Sequence, residues 1–233
     1  MALFKELLVA DLSGKVGANV FSHNAGGKYV RVLAIPTNPN TPQQVTVRNA
    51  FALLTTQWFN ILTVAQRQAW TVYAANVPVI NRVGDSVNLS GLAMYVRNNT
   101  ARTAVLSDPI FDAPTDFTNS VYLSQLPSNA TEAGQTVDVP FGTSPLTNPW
   151  ANEAGSFLFV YVARPQNVSI RYFKGPYRFA GSQQGDPSPP ASPLTVSVPF
   201  AIVEGQKLFI RTVITQSDGR ISGASLSDTL VVA

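Results

Sequence analysis

Apolar residues recur at helical spacing between positions 47 and 58. They stand at i, i+4, i+7 and i+11, on one face of a helix, and comprise Val47, Phe51, Leu54 and Trp58. Thr41 suits the N-cap of this helix, Pro42 suits its first position, and Gln44 completes a capping box. The pattern predicts a well-defined helix that begins after Thr41.

The same opening signal recurs at Thr63 and Gln66, and Pro78 ends the pattern that follows. The apolar stripe of this second helix comprises Ala69, Trp70, Tyr73 and Val77. Because only a few residues separate the two helices, we predict a helical hairpin with its aromatic residues in a core. A third helix is predicted from a cap at Ser90 to about Thr103, with an apolar face of Leu92, Tyr95 and Val96.

Residues 12–35, which precede the helices, have the pattern of a β-hairpin. Val16, Val20 and Phe21 lead into a turn-forming cluster at 22–27, and a β-branched run follows from position 29. The next segment, I-P-T-N-P-N-T-P, is predicted to be an extended arm, because its three prolines forbid a helix. A hairpin and an arm of this kind could add strands to a neighbouring subunit.

From position 108 onward, short β-type runs alternate with turn clusters. Residues 108–117 are predicted to be a linker and a first strand, and further strands are predicted at 136–141, 156–163, 169–173, 194–200, 207–215 and 229–232. The run F-L-F-V-Y-V suits a central strand. In the 207–215 run, one side is formed by Leu208, Ile210, Thr212 and Ile214. About seven short strands over roughly 120 residues favour a β-sandwich.

The predicted fold class is therefore α+β. An N-terminal β-hairpin, extended arm and helical hairpin form a docking domain in residues 1–107, and an all-β sandwich follows in residues 108–233. The apolar run at the N-terminus is short and interrupted by Lys5 and Glu6, and no run of about 18 apolar residues occurs, so neither a signal peptide nor a membrane partner is expected.

Charge is sparse and unevenly distributed. Charged residues make up 12% of the 233-residue chain, against about 25% in an ordinary soluble domain. Weak mutual repulsion and a neutral polar surface favour contact with neighbouring chains, although a β-rich domain of secreted type with few charges is the alternative interpretation. Residues 1–105 hold nine Lys or Arg and three acids, whereas the remainder holds seven bases and ten acids.

The basic front half is consequently the candidate surface for an acidic partner. Its bases are scattered, which disfavours specific nucleic-acid binding. The residues predicted to dock on a partner come from the hairpin and the first helix and are Lys15, Lys28, Tyr29, Arg31 and Arg48.

Catalytic and cofactor chemistry finds little support. His23 is the only histidine and falls in the predicted hairpin turn, and there is no cysteine. The aspartates at 108, 112 and 116 lie along an irregular stretch where loop capping explains them better than a metal site. The pairs Gly14-Lys15 and Gly27-Lys28 lack the rest of a phosphate-binding loop. A pair of carboxylates for glycoside hydrolysis could come from Asp138, Glu153, Asp186 and Glu204. Their spacing along the sequence does not favour any particular pair. We therefore predict no enzyme activity and no cofactor.

Two resemblances extend this interpretation. The C-terminal half resembles a fibronectin type III domain, with Ala113-Pro114 at its start, 157–163 in the place of the third strand, and 208–215 before a hairpin into 229–232. The front half resembles a group of structural proteins of tailed bacteriophages over residues 12–75. The motifs are S-G-K-V-G-A-N-V-F, G-G-K-Y-V-R, N-P-N-T-P-Q-Q-V-T-V-R-N-A-F and W-F-N-I-L-T-V-A-Q-R-Q-A-W, in that order.

The phage resemblance implies a component of the virion, assembled in the host cytoplasm. We expect a capsid-associated cement or decoration protein that docks on major capsid or tail subunits through its front half, forms a homo-oligomer and displays the sandwich. The alternatives are a neck- or tail-associated structural protein and a carbohydrate-binding adhesion module that binds a host-surface glycan through exposed aromatic residues such as Trp150.

Overall fold

The computed structural model describes residues 2–3, 13–24, 26–34, 37–81, 84–118, 128–146 and 148–233. These residues form a mixed α/β protein with three α-helices, a large seven-stranded sheet and a smaller N-terminal sheet. The chain divides into two compact units, Met1–Thr100 and Ala101–Ala233, called here the first unit and the second unit.

The first unit begins with a small antiparallel sheet. Its strands are β1 (Ala2–Leu3), β2 (Gly14–Val16), β3 (Asn19–Asn24) and β4 (Gly27–Val32), in the order β1-β4-β3-β2. The predicted hairpin is present as β3 and β4, but positions 22–24 belong to β3, so the predicted turn was too wide. Sequence reasoning also missed the β2–β3 hairpin, whose turn uses Gly17 at a φ of +58°.

Two helices follow the arm: α1 (Pro42–Asn60) and α2 (Val64–Asn76). In α1 the Thr41 side chain accepts the Gln44 N–H at 3.4 Å, and the Gln44 side chain accepts the Thr41 N–H at 3.4 Å. The reciprocal bonds between Thr63 and Gln66 measure 3.2 and 3.0 Å. Both predicted capping boxes are confirmed, and α2 ends just before Pro78 as predicted. Each box satisfies backbone N–H groups that have no partner within the helix.

A third helix begins in the first unit, and its last three residues belong to the second unit. A short antiparallel pair, β5 (Val79–Ile80) and β6 (Ser86–Val87), precedes α3 (Gly91–Thr103). The Ser90 Oγ accepts the Ala93 N–H at 3.3 Å, which confirms the predicted cap.

Tyr95 of α3 joins the three helices. Its ring centroid lies 5.7 Å from that of Trp58 in α1 and 5.5 Å from that of Trp70 in α2. Its hydroxyl donates to Gln57 Oε1 at 3.2 Å, and burial raises the pKa of Tyr95 to about 12, so that the hydroxyl stays a neutral donor. The predicted aromatic core is therefore present, although Ala69, assigned to the buried stripe of α2, is exposed.

The second unit contains the large sheet. Its strands are β7 (Asn129–Thr131), β8 (Thr136–Val139), β9 (Phe157–Ala163), β10 (Tyr177–Gln184), β11 (Leu194–Ser197), β12 (Lys207–Thr215) and β13 (Ser225–Val232). The order is β10-β9-β12-β13-β7-β8-β11, and every pair is antiparallel except β13–β7. The end strands approach each other, with Gly181 of β10 against Val196 of β11, where a Cβ would lie 2.7 Å from Val196 Cγ1. The sheet therefore nearly closes on itself, as a barrel does.

The inner face of this sheet forms the core of the second unit. Trp150, in a 3-10 helix at Pro149–Asn152, is 2% exposed and its ring centroid lies 5.2 Å from that of Phe141. The residues of β12 that were predicted to alternate on one side are buried. Leu208, Ile210 and Ile214 of this strand share the core with Val137, Leu158, Val160, Val162, Val196 and Val231. The other side of β12 is also covered at Phe209 and Val213.

In the second unit, two predicted strands are absent and two observed strands were missed. Residues 108–117 and 169–173 have no strand, while β7 and β10 were not predicted. The apolar side chains at 169–173 resemble a strand, but Phe173 instead lies over the sheet and stacks on Phe209, with centroids 5.8 Å apart. The sequence of β10 is polar and contains a glycine, so it lacks the usual pattern of a strand. The segment is nevertheless a strand that pairs with β9 along its length.

Candidate interaction surfaces

The small sheet of the first unit has one basic face and one apolar face. The cross-strand register places Lys15, Val20 and Arg31 in one row, and Tyr29 two residues from Arg31 on the same face. Lys28 lies on the opposite face, across from His23. The docking residues predicted in the hairpin are therefore divided between the two faces, three on one and Lys28 on the other.

The opposite face was missed by sequence reasoning. It carries Val16, Phe21, Val30 and Val32, because these positions share the pleat with Lys28. Val16 is 57% exposed and Val32 is 69% exposed. The alternation of valine with tyrosine and arginine at 29–32 was the signal that could have identified this apolar face.

None of the described residues at 13–34 is buried. A small sheet gains independent stability from a covered apolar face or from packing against a helix. In β2, β3 and β4 the apolar side chains are exposed or half-buried. The sheet therefore retains an apolar surface that another chain could cover.

The apolar stripe of helix α1 is buried in the second half of the helix and exposed in the first half. In its second half Leu54 is fully buried and Trp58 is nearly so, as predicted. In its first half Val47 is 54% exposed and Phe51 is 57% exposed, although both lie on the predicted apolar face. That face is therefore covered only in the second half of α1, where Tyr95 of α3 contacts Trp58.

The Arg48 side chain forms hydrogen bonds within the chain. Its guanidinium donates to Asn40 Oδ1 at 3.0 Å and to Asn38 Oδ1 at 2.6 Å. These bonds join Asn38 and Asn40 of the predicted arm to α1, a role that sequence reasoning did not identify; positions 35 and 36 of that arm lie outside the described residues. Arg48 remains exposed and charged, but its direct effect is to hold the arm against the helix that follows it.

Two of the carboxylates considered for catalysis, Glu153 and Asp138, accept hydrogen bonds within the chain. His23 lies in β3 rather than in the predicted turn. Glu153 accepts hydrogen bonds from Ser156 Oγ and Ser217 Oγ, and Asp138 accepts one from Thr195 Oγ1 at 2.5 Å. Within the described ranges, no group of three or more His, Cys, Asp or Glu residues could hold a metal ion.

Trp150 cannot be an exposed ligand-binding aromatic. The sequence proposal for a glycan site at Trp150 is wrong because this side chain fills the core of the second unit. Its position after a proline in a 3-10 helix turns the ring inward against Phe141. A glycan site in this unit would have to use other aromatic residues.

Helices of the described part of the chain are all too short or too polar to cross a bilayer. No protein-family model matches this chain, and neither a curated protein nor a solved structure is significantly similar to it.

Proposed function

We propose that this chain is a structural protein of a tailed-bacteriophage virion, a cement or decoration protein on the capsid. It docks on major capsid or tail subunits through its first unit, associates with further copies of itself, and displays its second unit. It has no catalytic role and needs no cofactor in this account. The phage-like order of hairpin, arm and helices in residues 12–75 supports the assignment to a virion.

The observation that carries the proposal is the uncovered apolar surface of the first unit. The small sheet exposes Val16 and Val32, and the stripe of α1 exposes Val47 and Phe51. Exposed apolar side chains that neighbour one another on a sheet face or a helix stripe are typical of a protein–protein interface. A chain with only 12% charged residues adds little electrostatic repulsion between neighbouring copies.

The arm and the sheet offer a second means of docking. Strand β2 stands at one edge of the small sheet, where backbone groups can pair with a strand of another chain. Arg48 fixes the arm to α1 through Asn38 and Asn40. A fixed arm loses less conformational entropy when it binds than a free one does.

For the second unit we propose a fibronectin type III-like sandwich that projects from the particle. The seven-stranded sheet consists of an antiparallel run of four strands, β10-β9-β12-β13, and an antiparallel run of three, β7-β8-β11, joined by the parallel pair β13–β7. Sandwich domains of the immunoglobulin type also have four strands in one sheet and three in the other. The third strand is β9 at Phe157–Ala163, and β12 and β13 form a hairpin. These features support the resemblance drawn from the sequence.

Copy number in purified virions tests the proposed position. Quantitative gel analysis should find the chain at hundreds of copies per particle if it covers the shell. About a dozen copies or fewer would instead favour the neck or the tail, and absence from the particle would contradict the virion role.

Incorporation of variants tests the docking surface. Deletion of residues 1–40 should abolish incorporation into particles, and truncated protein retained at full occupancy would contradict the proposal. Phe51→Ser should reduce incorporation strongly because it places a polar group in the apolar stripe. Leu53→Ser is the matched control, since Leu53 is similarly exposed but lies on the other side of the same helix. Equal incorporation of the two variants would count against the stripe.

A further inference from the structure

A cleft lined by aromatic residues lies on the outer face of β10, β12 and β13 in the second unit. We call it the aromatic cleft; its volume is about 120 Å³ and its principal lining residues are Arg171, Tyr172, Phe173, Tyr177, Phe209 and Asp228. Pockets for drug-sized ligands measure about 300–1,000 Å³, so this smaller cleft suits a single ring that stays partly exposed.

The aromatic rings of the cleft are held in place by one another. Phe173 stacks on Phe209 at an interplanar angle of 24°, and Tyr177 meets Phe173 edge-on with centroids 5.8 Å apart. The Tyr177 hydroxyl also donates to the Phe173 carbonyl at 2.9 Å. Tyr172, by contrast, is 70% exposed at the rim. The cleft thus combines a fixed aromatic floor with one exposed ring that a ligand can cover.

The charges at the cleft are predominantly positive. The one lining carboxylate, Asp228, is paired with Lys207 at 2.8 Å. Arg171 is exposed, and no carboxylate among the described residues forms an ion pair with it. Burial raises the pKa of Tyr177, Tyr172 adds to the rise, and the positive charge of Arg211 opposes it, so the field of Arg211 also reaches the cleft.

We propose that the aromatic cleft binds an acidic pyranose, a sugar ring that carries a carboxylate, as part of a glycan. The C–H groups on one face of a pyranose are weakly positive and pack on the negative face of an aromatic ring, here Tyr172. The carboxylate of the sugar pairs with Arg171 through charge-assisted hydrogen bonds. A quaternary ammonium ligand fits aromatic cages too, but the neighbouring positive charges disfavour it.

This inference does not depend on the virion role. Glycan binding resides in the second unit, whereas the proposed docking surface belongs to the first unit. Loss of either property by substitution leaves the other intact, so the two proposals can fail separately.

A matched pair of sugars tests the inference on the purified full-length chain. Methyl β-D-glucuronide and methyl β-D-glucoside differ in the carboxylate, and calorimetric titration should show binding of the glucuronide about tenfold tighter, which corresponds to about 1.4 kcal/mol. Arg171→Gln should remove this preference, and Tyr172→Ala should weaken binding of both sugars about fivefold because it removes the ring on which they pack.

Two surface variants in the first unit serve as controls. Arg31→Gln removes an exposed positive charge and Phe59→Ala removes an exposed ring, so both should bind the sugars as the unaltered chain does. Equal affinity for the two sugars, a preference that survives Arg171→Gln, or full binding by Tyr172→Ala would overturn the proposal. So would tighter binding of choline than of the glucuronide, or no binding of the glucuronide at millimolar concentrations.

Discussion

The large sheet of the second unit and the small sheet of the first unit differ in how their side chains are covered. The sheet of the second unit has a continuous core on its inner face and buried side chains such as Phe209 and Val213 on its outer face. In the small sheet of the first unit, residues 13–24 and 26–34, which contain β2, β3 and β4, include no buried residue. The large sheet buries most of its apolar side chains within its own chain, although Leu226, Leu230 and Val232 of β13 are about half exposed. The small sheet leaves its apolar side chains exposed or half-buried in strands β2, β3 and β4.

This difference in coverage predicts that the large sheet contributes mainly to stability and the exposed surface of the first unit mainly to assembly. Burial of apolar area is the main source of folding free energy, so substitutions in the large sheet should act on folding. Substitutions on the small sheet and on the first half of α1 should act on association with other chains. The following predictions test this division, beginning with the largest expected effect.

Truncation of the largest buried side chain should destabilise the second unit most. Trp150→Ala removes a ring that is 2% exposed and in contact with Phe141, and should lower the free energy of unfolding by about 3–5 kcal/mol. Urea denaturation followed by circular dichroism measures this loss. Phe51→Ala, also an aromatic truncation, should change it by less than about 0.5 kcal/mol because the ring is exposed. Similar losses of unfolding free energy for both variants would contradict the claim that only the Trp150 ring contributes to a core.

Within the first unit, the helical cluster should provide the stability that the small sheet does not. Tyr95→Ala removes the contacts to Trp58 and Trp70, and we expect a loss of about 3 kcal/mol in the free energy of unfolding. Tyr29→Ala in β4 should cost less than about 1 kcal/mol, since this side chain is only half-buried. Denaturant unfolding of the two variants side by side gives the difference. A larger loss for Tyr29→Ala would show that the small sheet is a stable core.

The helix caps should have smaller effects. Thr63→Ala removes the side chain that accepts the Gln66 N–H at 3.2 Å and should destabilise the chain by about 1 kcal/mol. Thr46→Ala is the control, because the Thr46 hydroxyl only donates to the Pro42 carbonyl within α1 and its loss should cost less than about 0.5 kcal/mol. Thermal melts monitored at the helical circular dichroism band provide the measurement, and equal shifts would contradict the role of the cap.

The smallest effect is expected from an exposed carboxylate of the second unit. Hydrogen bonds from Thr118 lower the pKa of Asp116 below its ordinary value of 3.8, with a further contribution from Arg220. A carboxylate with a lowered pKa stabilises the folded state above its unfolded pKa, and this stabilisation is lost as the pH falls through the folded value. Asp116→Asn should therefore be slightly less stable than the unaltered chain at pH 7, and the difference should disappear in acid. A difference that is independent of pH would contradict this account.

The sequence was sufficient where local chemistry decides the structure. The starts of α1 and α2 follow from Thr41 with Gln44 and from Thr63 with Gln66, since each cap forms within four residues. The strand at Lys207–Thr215 follows from its alternation and from its β-branched content. These elements are determined by their own residues.

The sequence was insufficient where contacts between residues far apart in the chain determine the structure. Phe51 and Trp58 share one stripe, but only Trp58 receives a contact from Tyr95, a residue far along the chain. Likewise β10 has a weak sequence pattern and is a strand because it pairs with β9. The Arg48 bonds to Asn38 and Asn40 depend on how the arm turns before α1. The aromatic cleft similarly depends on segment 171–177 lying against β12 and β13.

Amide hydrogen exchange of the small sheet, in the free chain and in assembled particles, tests the central claim most directly. Because its residues are uncovered, peptides from 14–32 should exchange rapidly in the free chain and about a hundredfold more slowly in particles, while peptides from Phe157–Ala163 stay protected in both. Protection of 14–32 in the free chain equal to that in particles would show that the first unit completes itself, and would contradict the account.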